Sequence, residues 1–142
     1  MIVLDTTVLT YAVGSDHPLR EPCRRLLAAH GDGRVAATTT IEVIQEFAHV
    51  RARRRSRSDA VMLARYYAVA LPLLTTLPDD LELGLALYER VPALGAFDAV
   101  LAAVALNRGA SALVSADRAF AGVPHLQWID PASPALAHLI EQ

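Results

Sequence analysis

Short apolar runs alternate with longer segments of helical periodicity along this chain. The runs at residues 2–4, 35–37, 73–75, 112–114 and 126–129 predict five short, buried strands. Helices are predicted at residues 6–13, 18–30, 40–54, 59–70, 79–90, 96–106 and 134–141. Apolar strands that alternate with helices are typical of a parallel sheet covered on both faces. The pattern therefore predicts a three-layer α/β domain, with a mostly parallel central sheet of about five strands and helices on both faces.

Two of these helices indicate which surfaces they bury. The helix that begins near residue 40 has Ile41, Ile44 and Phe47 at spacings that place them on one face, and we expect that face to be buried. Residues 99–106 are apolar on every side, so their helix is expected at the centre of the molecule.

Composition narrows the class of protein. The chain has 142 residues, of which 54% are hydrophobic and 20% charged, which predicts one domain over residues 1–142 and excludes general disorder. The single cysteine excludes an internal disulfide, and no uncharged stretch approaches the ~20 residues that cross a bilayer. Without a visible secretory signal, we expect a cytoplasmic protein with no membrane contact. The net charge of −2 is uninformative about nucleic acid, but the absence of lysine excludes a P-loop lysine or a Schiff base.

Three aspartates stand where strands end or where the apolar helix begins. Asp5 follows the first strand, Asp117 follows the fourth by three residues, and Asp98 opens the apolar helix. Each has an ordinary explanation as a helix cap or a turn residue. However, the carboxyl ends of parallel strands meet at one edge of the sheet, where ligands bind in such folds. Carboxylates that converge there need shared protons or a cation, because they repel one another.

A fourth acid comes from the helix that begins near residue 40. Glu42 and Glu46 share one face of this helix because they are four residues apart. Glu46 is preferred because it lies at the border of the face expected to be buried, and Glu42 remains a competitor. An all-oxygen donor set favours Mg²⁺ or Mn²⁺ over zinc. The histidines are scattered, and His17 and His49 are expected on the surface rather than at a metal.

Four segments, in order, resemble the sequence blocks of PIN-domain nucleases. They are residues 2–6 (IVLDT), 40–47 (TIEVIQEF), 97–105 (FDAVLAAVA) and 114–120 (VSADRAF). The order and spacing match over nearly the whole chain, and single-domain members of this length are mostly VapC-type toxins of bacterial toxin–antitoxin pairs.

The resemblance implies a Mg²⁺-dependent endoribonuclease that forms a homodimer and is neutralised by a VapB-type antitoxin. It implies hydrolysis by a metal-activated water, leaving 5′-phosphate and 3′-hydroxyl ends. The implied catalytic and metal-binding residues are Asp5, Glu46 (or Glu42), Asp98 and Asp117, with Thr6 and Ser115 supporting them through hydroxyl hydrogen bonds.

A run of arginines follows the helix that carries Glu46. Its members are Arg51, Arg53, Arg54, Arg55 and Arg57. Arginine near a helix C-terminus complements the helix dipole, but five in seven residues exceed that need. We expect them to bind RNA phosphates or an acidic segment of the antitoxin.

Other functions fit the sequence less well. A phospho-receiver domain needs an acidic pair after the first strand and a lysine, but Thr6 follows Asp5 and lysine is absent. A haloacid-dehalogenase-type phosphatase needs Asp-x-Asp, but Thr7 takes the second place. The strongest alternative is a catalytically inactive PIN-like module that binds RNA or protein.

Overall fold

Five parallel strands form the central sheet of the computed structural model, which describes residues 1–142. The strands are β1 (Ile2–Leu4), β2 (Ala37–Thr40), β3 (Leu73–Leu74), β4 (Ala112–Val114) and β5 (Trp128–Ile129). Their spatial order is β3-β2-β1-β4-β5, and every neighbouring pair is parallel. The predicted α/β class is confirmed, and the sheet is wholly rather than mostly parallel.

Seven α-helices connect and cover the strands. They are α1 (Thr6–Ala12), α2 (Arg20–Gly31), α3 (Ile41–Arg54), α4 (Arg57–Ala70), α5 (Pro78–Arg90), α6 (Ala96–Asn107) and α7 (Pro134–Glu141). A short 3₁₀ helix, Arg118–Gly122, follows β4 and was not predicted. None of the helices combines the length and apolarity that crossing a membrane requires.

The second strand lies further along the chain than its apolar residues suggest. It spans Ala37–Thr40, whereas residues 35–37 were predicted. Its threonines are buried because their hydroxyls are satisfied: Thr39 Oγ1 donates to the carbonyl of Leu4 at 2.8 Å, and Thr38 Oγ1 donates to that of Pro72 at 2.7 Å. Thr40 then caps α3, accepting a hydrogen bond from the Val43 N–H at 3.3 Å.

The buried face of α3 is rotated from the predicted one. Val43 and Phe47 are buried, whereas Ile41 is 56% exposed, so its predicted burial is wrong. The rotation follows from the partner helix, because Phe47 packs edge-to-face on Tyr67 of α4 with ring centroids 5.1 Å apart. Tyr67 also donates a hydrogen bond to the carbonyl of Leu9 in α1, which ties the α3–α4 pair to the start of the chain.

Helix α6 occupies the centre of the molecule, as its apolar sequence predicted. All five residues from Leu101 to Ala105 are buried. Helix α5 crosses α6 at Gly84, where a Cβ atom would lie 2.8 Å from the Cα of Val100. Only glycine permits this approach, so α5 packs closely against the N-terminal half of α6, which carries Asp98.

An ion pair with a buried carboxylate fixes the other end of this helix pair. Asp80 of α5 is completely buried and accepts hydrogen bonds from Arg108, from Asn107 Nδ2 and from the backbone N–H of Leu77. Burial alone would raise the pKa of Asp80, but the hydrogen bonds and the charge of Arg108 together lower it below its ordinary value.

Candidate active site at the carboxyl edge of the sheet

Asp5 lies at the end of β1, with only 3% of its surface exposed. It occupies the N-cap position of α1 but makes no side-chain capping bond, so capping does not explain it. Its Oδ2 instead accepts hydrogen bonds from Ser115 Oγ at 2.6 Å and from Thr7 Oγ1 at 3.0 Å. Both bonds fix the orientation of the carboxylate and leave Oδ1 without a protein partner.

Backbone N–H groups fix the direction of these two hydroxyls. Ser115 Oγ accepts from the N–H of Asp117, and Thr7 Oγ1 accepts from that of Ala116, both at 3.0 Å. Each hydroxyl therefore directs its own proton to Asp5. Ser115 was singled out from the sequence, but Thr7 was missed. The available signal was its position two residues after Asp5, but only the turn of the backbone shows that it reaches this carboxylate.

The structure distinguishes between Glu42 and Glu46 by their contacts. Thr6 Oγ1 donates a hydrogen bond to Glu46 Oε2 at 2.8 Å, so this predicted supporting residue orients Glu46 rather than Asp5. Glu42 is exposed and has no hydrogen bond within the chain. It lies one turn earlier on α3.

Asp98 is the carboxylate with the most perturbed environment. Burial raises its pKa to about 7, and the negative charges of Asp5, Glu46 and Asp117 contribute to the rise. Glu42 does not contribute. The fold thus gathers four acids that are distant in the sequence, and the set contains Glu46.

The two carboxylate oxygens of Asp117 have different surroundings. Its Oδ1 accepts a hydrogen bond from the N–H of Ala119 at 2.9 Å and so caps the 3₁₀ helix. The side chain is otherwise exposed, and its Oδ2 has no partner within the chain. Asp117 therefore retains one oxygen that faces solvent beside the other acids.

A divalent cation fits this donor set. No three acidic, histidine or cysteine side chains are already arranged closely enough to hold an ion by themselves. Mg²⁺ does not need such a cage, because it is usually held by one or two carboxylates together with water and substrate oxygens. The donors are oxygen atoms, and a cation would relieve the repulsion that raises the pKa of Asp98.

A cleft of about 670 Å³ opens beside these acids, between α3 and the α5–α6 pair. One wall is polar and consists of side chains of α3, namely Glu42, Gln45, Glu46 and His49. The facing wall includes Leu81, Leu85, Phe97 and Val100, and Asp98 lies on the same side. His49 is on the surface, as predicted, but the sequence did not indicate that it faces this cleft.

The arginine run separates into two parts. Arg51 forms an ion pair with Asp59 of α4 and donates to the carbonyl of Val13, so it holds α3 against its neighbours. The side chains that face solvent are Arg53, Arg54, Arg55 and Arg57. The run therefore presents four exposed cations at the turn between α3 and α4.

The fold and the acidic edge together define a parallel α/β protein with a carboxylate site at the switch between β1 and its neighbours. Residues 2–126 match the PIN domain family. The chain belongs to this family, as the four sequence blocks predicted.

The relatives of the chain are VapC proteins. It is 54% identical to "Ribonuclease VapC7" of Mycobacterium tuberculosis (strain ATCC 25618 / H37Rv), over 99% of this chain and 98% of that protein. It is 35% identical to "Ribonuclease VapC23" of the same strain, over 85% of this chain and 96% of that protein. The predicted resemblance to VapC-type members is confirmed.

Solved structures share the fold at low sequence identity. M. tuberculosis VapC20, described as a sarcin–ricin loop cleaving toxin, superposes with a TM-score of 0.72 at 18% identity, covering 89% of this chain and 98% of that one. VapBC2 from Rickettsia felis, bound to a DNA fragment from its promoter, gives a TM-score of 0.71 at 17% identity, covering 92% and 98%.

Proposed function

We propose that this protein is a Mg²⁺-dependent endoribonuclease, the toxin of a type II toxin–antitoxin pair, and that Mn²⁺ can replace Mg²⁺. The observation that carries the proposal is the convergence of Asp5, Glu46 and Asp117 on Asp98 at one edge of the sheet. Burial and the charges of these three acids raise the pKa of Asp98 to about 7. The names of the VapC relatives support RNA as the substrate. In this proposal the protein acts in the cytoplasm.

We assign each residue of the site a role from its contacts. Asp5 and Asp98 would hold the ion, Asp5 through the Oδ1 that its hydroxyl partners leave free. Glu46, oriented by Thr6, completes the acidic set. When bound, the cation supplies Lewis acidity to the scissile phosphate and lowers the pKa of the attacking water.

Asp117 receives the proton of that water through its free oxygen. The water oxygen forms a bond to phosphorus, the bond to the 3′ oxygen breaks, and that oxygen takes a proton from a solvent water and leaves as a hydroxyl. The 2′-hydroxyl takes no part, so the products carry 5′-phosphate and 3′-hydroxyl ends.

Substitution of Asp5 tests the activity. Asp5→Asn keeps the size of the side chain but removes its charge, so we expect RNA cleavage to fall by about 100-fold or more while the far-UV circular dichroism is retained. The matched control is Asp16→Asn, because Asp16 is exposed and does not contribute to the shift of Asp98. End-labelling of the cleaved RNA identifies the termini.

Three outcomes would contradict the proposal. A 2′,3′-cyclic phosphate product would show that the 2′-hydroxyl is the nucleophile. Equal cleavage by the wild type and Asp5→Asn would show that the Asp5 carboxylate is not needed for RNA cleavage. If the wild type binds RNA but cleaves none with either metal, the protein is instead an inactive binding module.

The antitoxin is proposed to lay an amphipathic segment along the cleft and to place an arginine among the carboxylates. The apolar wall of the cleft and its acidic end suit such a segment. Structures similar to this chain include "Toxin-antitoxin complex from Klebsiella pneumoniae", at a TM-score of 0.68. Loss of antitoxin affinity in Phe97→Asp checks this placement, because Phe97 lines the cleft and is 86% exposed. Unchanged affinity counts against it.

The homodimer is proposed to form through the exposed face of α5. This face carries an apolar stripe along one side of the helix, each member about half exposed: Leu77, Leu81, Leu85 and Tyr88. Sedimentation velocity of Tyr88→Asp checks it, because Tyr88 does not line the cleft. A wild type that sediments as a monomer would contradict the dimer.

A further inference from the structure

A polar stripe on α3 extends away from the carboxylates. Glu46, His49 and Arg53 share one exposed face because they are spaced by three and four residues. At 1.5 Å of rise per residue, His49 lies about 4.5 Å and Arg53 about 10.5 Å beyond Glu46 along the helix axis. The stripe therefore leads from the acidic site to the first exposed arginine.

His49 has no hydrogen bond within the fold. His30 is engaged by three backbone groups, and the ring of His17 accepts a hydrogen bond from the N–H of Leu19 and stacks on Tyr11. By contrast, His49 is exposed and lines the cleft that also contains Glu46 and Asp98. Its imidazole is free to bind a ligand that enters the cleft.

The change from acidic to basic side chains along the stripe favours an RNA strand as that ligand. An RNA strand with its scissile phosphate at the cation must carry its next phosphates past Glu42 and Glu46, which repel them. His49 and Arg53 are the first hydrogen-bond donors beyond these acids on the stripe. The imidazole is not part of a group that could hold a metal by itself.

We infer that His49 binds the nucleotide next to the scissile phosphate, and that Arg53 binds the phosphate beyond it. This inference rests on the proposed endoribonuclease function and adds a substrate-binding subsite outside the acidic set. Both side chains act on the position of the RNA strand rather than on the reacting bonds.

Steady-state cleavage of a single-stranded RNA oligonucleotide tests the subsite. His49→Ala is expected to raise KM by about three- to tenfold, the worth of one hydrogen bond, while kcat stays within about twofold. His49→Gln retains a donor and is expected to recover part of the loss. The control is His138→Ala, an exposed histidine on α7.

Direct binding separates recognition from chemistry. In an Asp5→Asn background, a fluorescein-labelled RNA should bind more weakly by the same factor when His49 is replaced by alanine. Arg53→Gln should lower the slope of log affinity against log salt by about 0.7, the value for one phosphate contact on a single strand.

The outcomes decide between this inference and its rivals. If His49→Ala matches His138→Ala in KM and RNA affinity, or lowers kcat at constant KM, the subsite is overturned. If His49→Ala weakens only the antitoxin complex, the stripe belongs to that partner and not to RNA. A wild type that cleaves no RNA contradicts the proposed function itself, whereas an active wild type with an unaffected His49→Ala contradicts the subsite alone.

Discussion

The partners of each aspartate decide its role in this protein. Asp80 and Asp98 both stand in the first turn of a helix; Asp80 is completely buried and Asp98 is half-buried. Hydrogen-bond donors surround Asp80, and its pKa is lowered. By contrast, burial and the negative charges of neighbouring acids raise the pKa of Asp98 to about 7. The first arrangement stabilises the fold, and the second is suited to a cation.

Asp80 gives a pH-dependent prediction for stability. Its pKa in the folded protein lies below its ordinary value, so its contribution is present above about pH 4, the unfolded pKa, and is lost as the pH falls through the folded pKa. Asp80→Asn leaves Arg108 without its charged partner and is expected to lower the free energy of unfolding at pH 7 by about 3 kcal/mol.

Urea unfolding of the two proteins at several pH values measures this difference. It should stay constant between pH 7 and about pH 5 and shrink below about pH 4. The control is Asp79→Asn, because Asp79 is the exposed neighbour of Asp80. Its effect on the free energy of unfolding is expected to be near zero. A difference that grows on acidification would refute the assignment.

At the level of single residues, the sequence predicts the strand-end acids but not their supporting contacts. Asp5 and Asp117 follow apolar runs, and a parallel sheet must bring such positions to one edge. Thr7 and His49 could not be assigned, because their roles depend on the turn after β1 and on the rotation of α3 about its axis.

Among the elements, α3 and α4 connect the acidic site to the exposed arginines. Helix α3 begins at the sheet edge, carries Glu46 in its second turn and ends in the arginine run. Arg51 is engaged with Asp59, so the exposed arginines after it remain available for a ligand. The sequence predicted the helix and the run, but it could not show which arginine is engaged, since Asp59 belongs to the next helix.

The exposed arginines predict a salt-dependent affinity for RNA. Arg54→Gln combined with Arg55→Gln should lower the slope of log affinity against log salt by about 1–2 units, because each phosphate contact on a single strand accounts for about 0.7. Fluorescence anisotropy at several salt concentrations, in the Asp5→Asn background, measures the slope.

A second double variant, at arginines outside the α3–α4 turn, is the control for total charge. Arg25→Gln with Arg90→Gln changes the net charge equally, at exposed positions on α2 and α5. Equal slopes for the two double variants would mean that total charge, rather than the α3–α4 turn, governs binding.

For the whole molecule, the order of the strands creates the site. Strand β1 lies at the centre between β2 and β4, so Asp5, the helix after β2 and the loop after β4 meet at one edge. The alternation of apolar runs and helices predicts a parallel sheet, and the resemblance of four sequence blocks predicts its family. Propensity alone missed the extent of β2, because two of its buried threonines, Thr38 and Thr39, donate side-chain hydrogen bonds to the backbone of neighbouring segments.

Calorimetric titration of the purified protein with Mn²⁺ tests the central claim, that these four carboxylates form a cation site. The wild type and Asp16→Asn should bind the ion with the same affinity. Asp5→Asn and Asp98→Asn should each bind at least about tenfold more weakly, since each loses a ligand charge. Equal Mn²⁺ affinity in all four proteins would contradict the account.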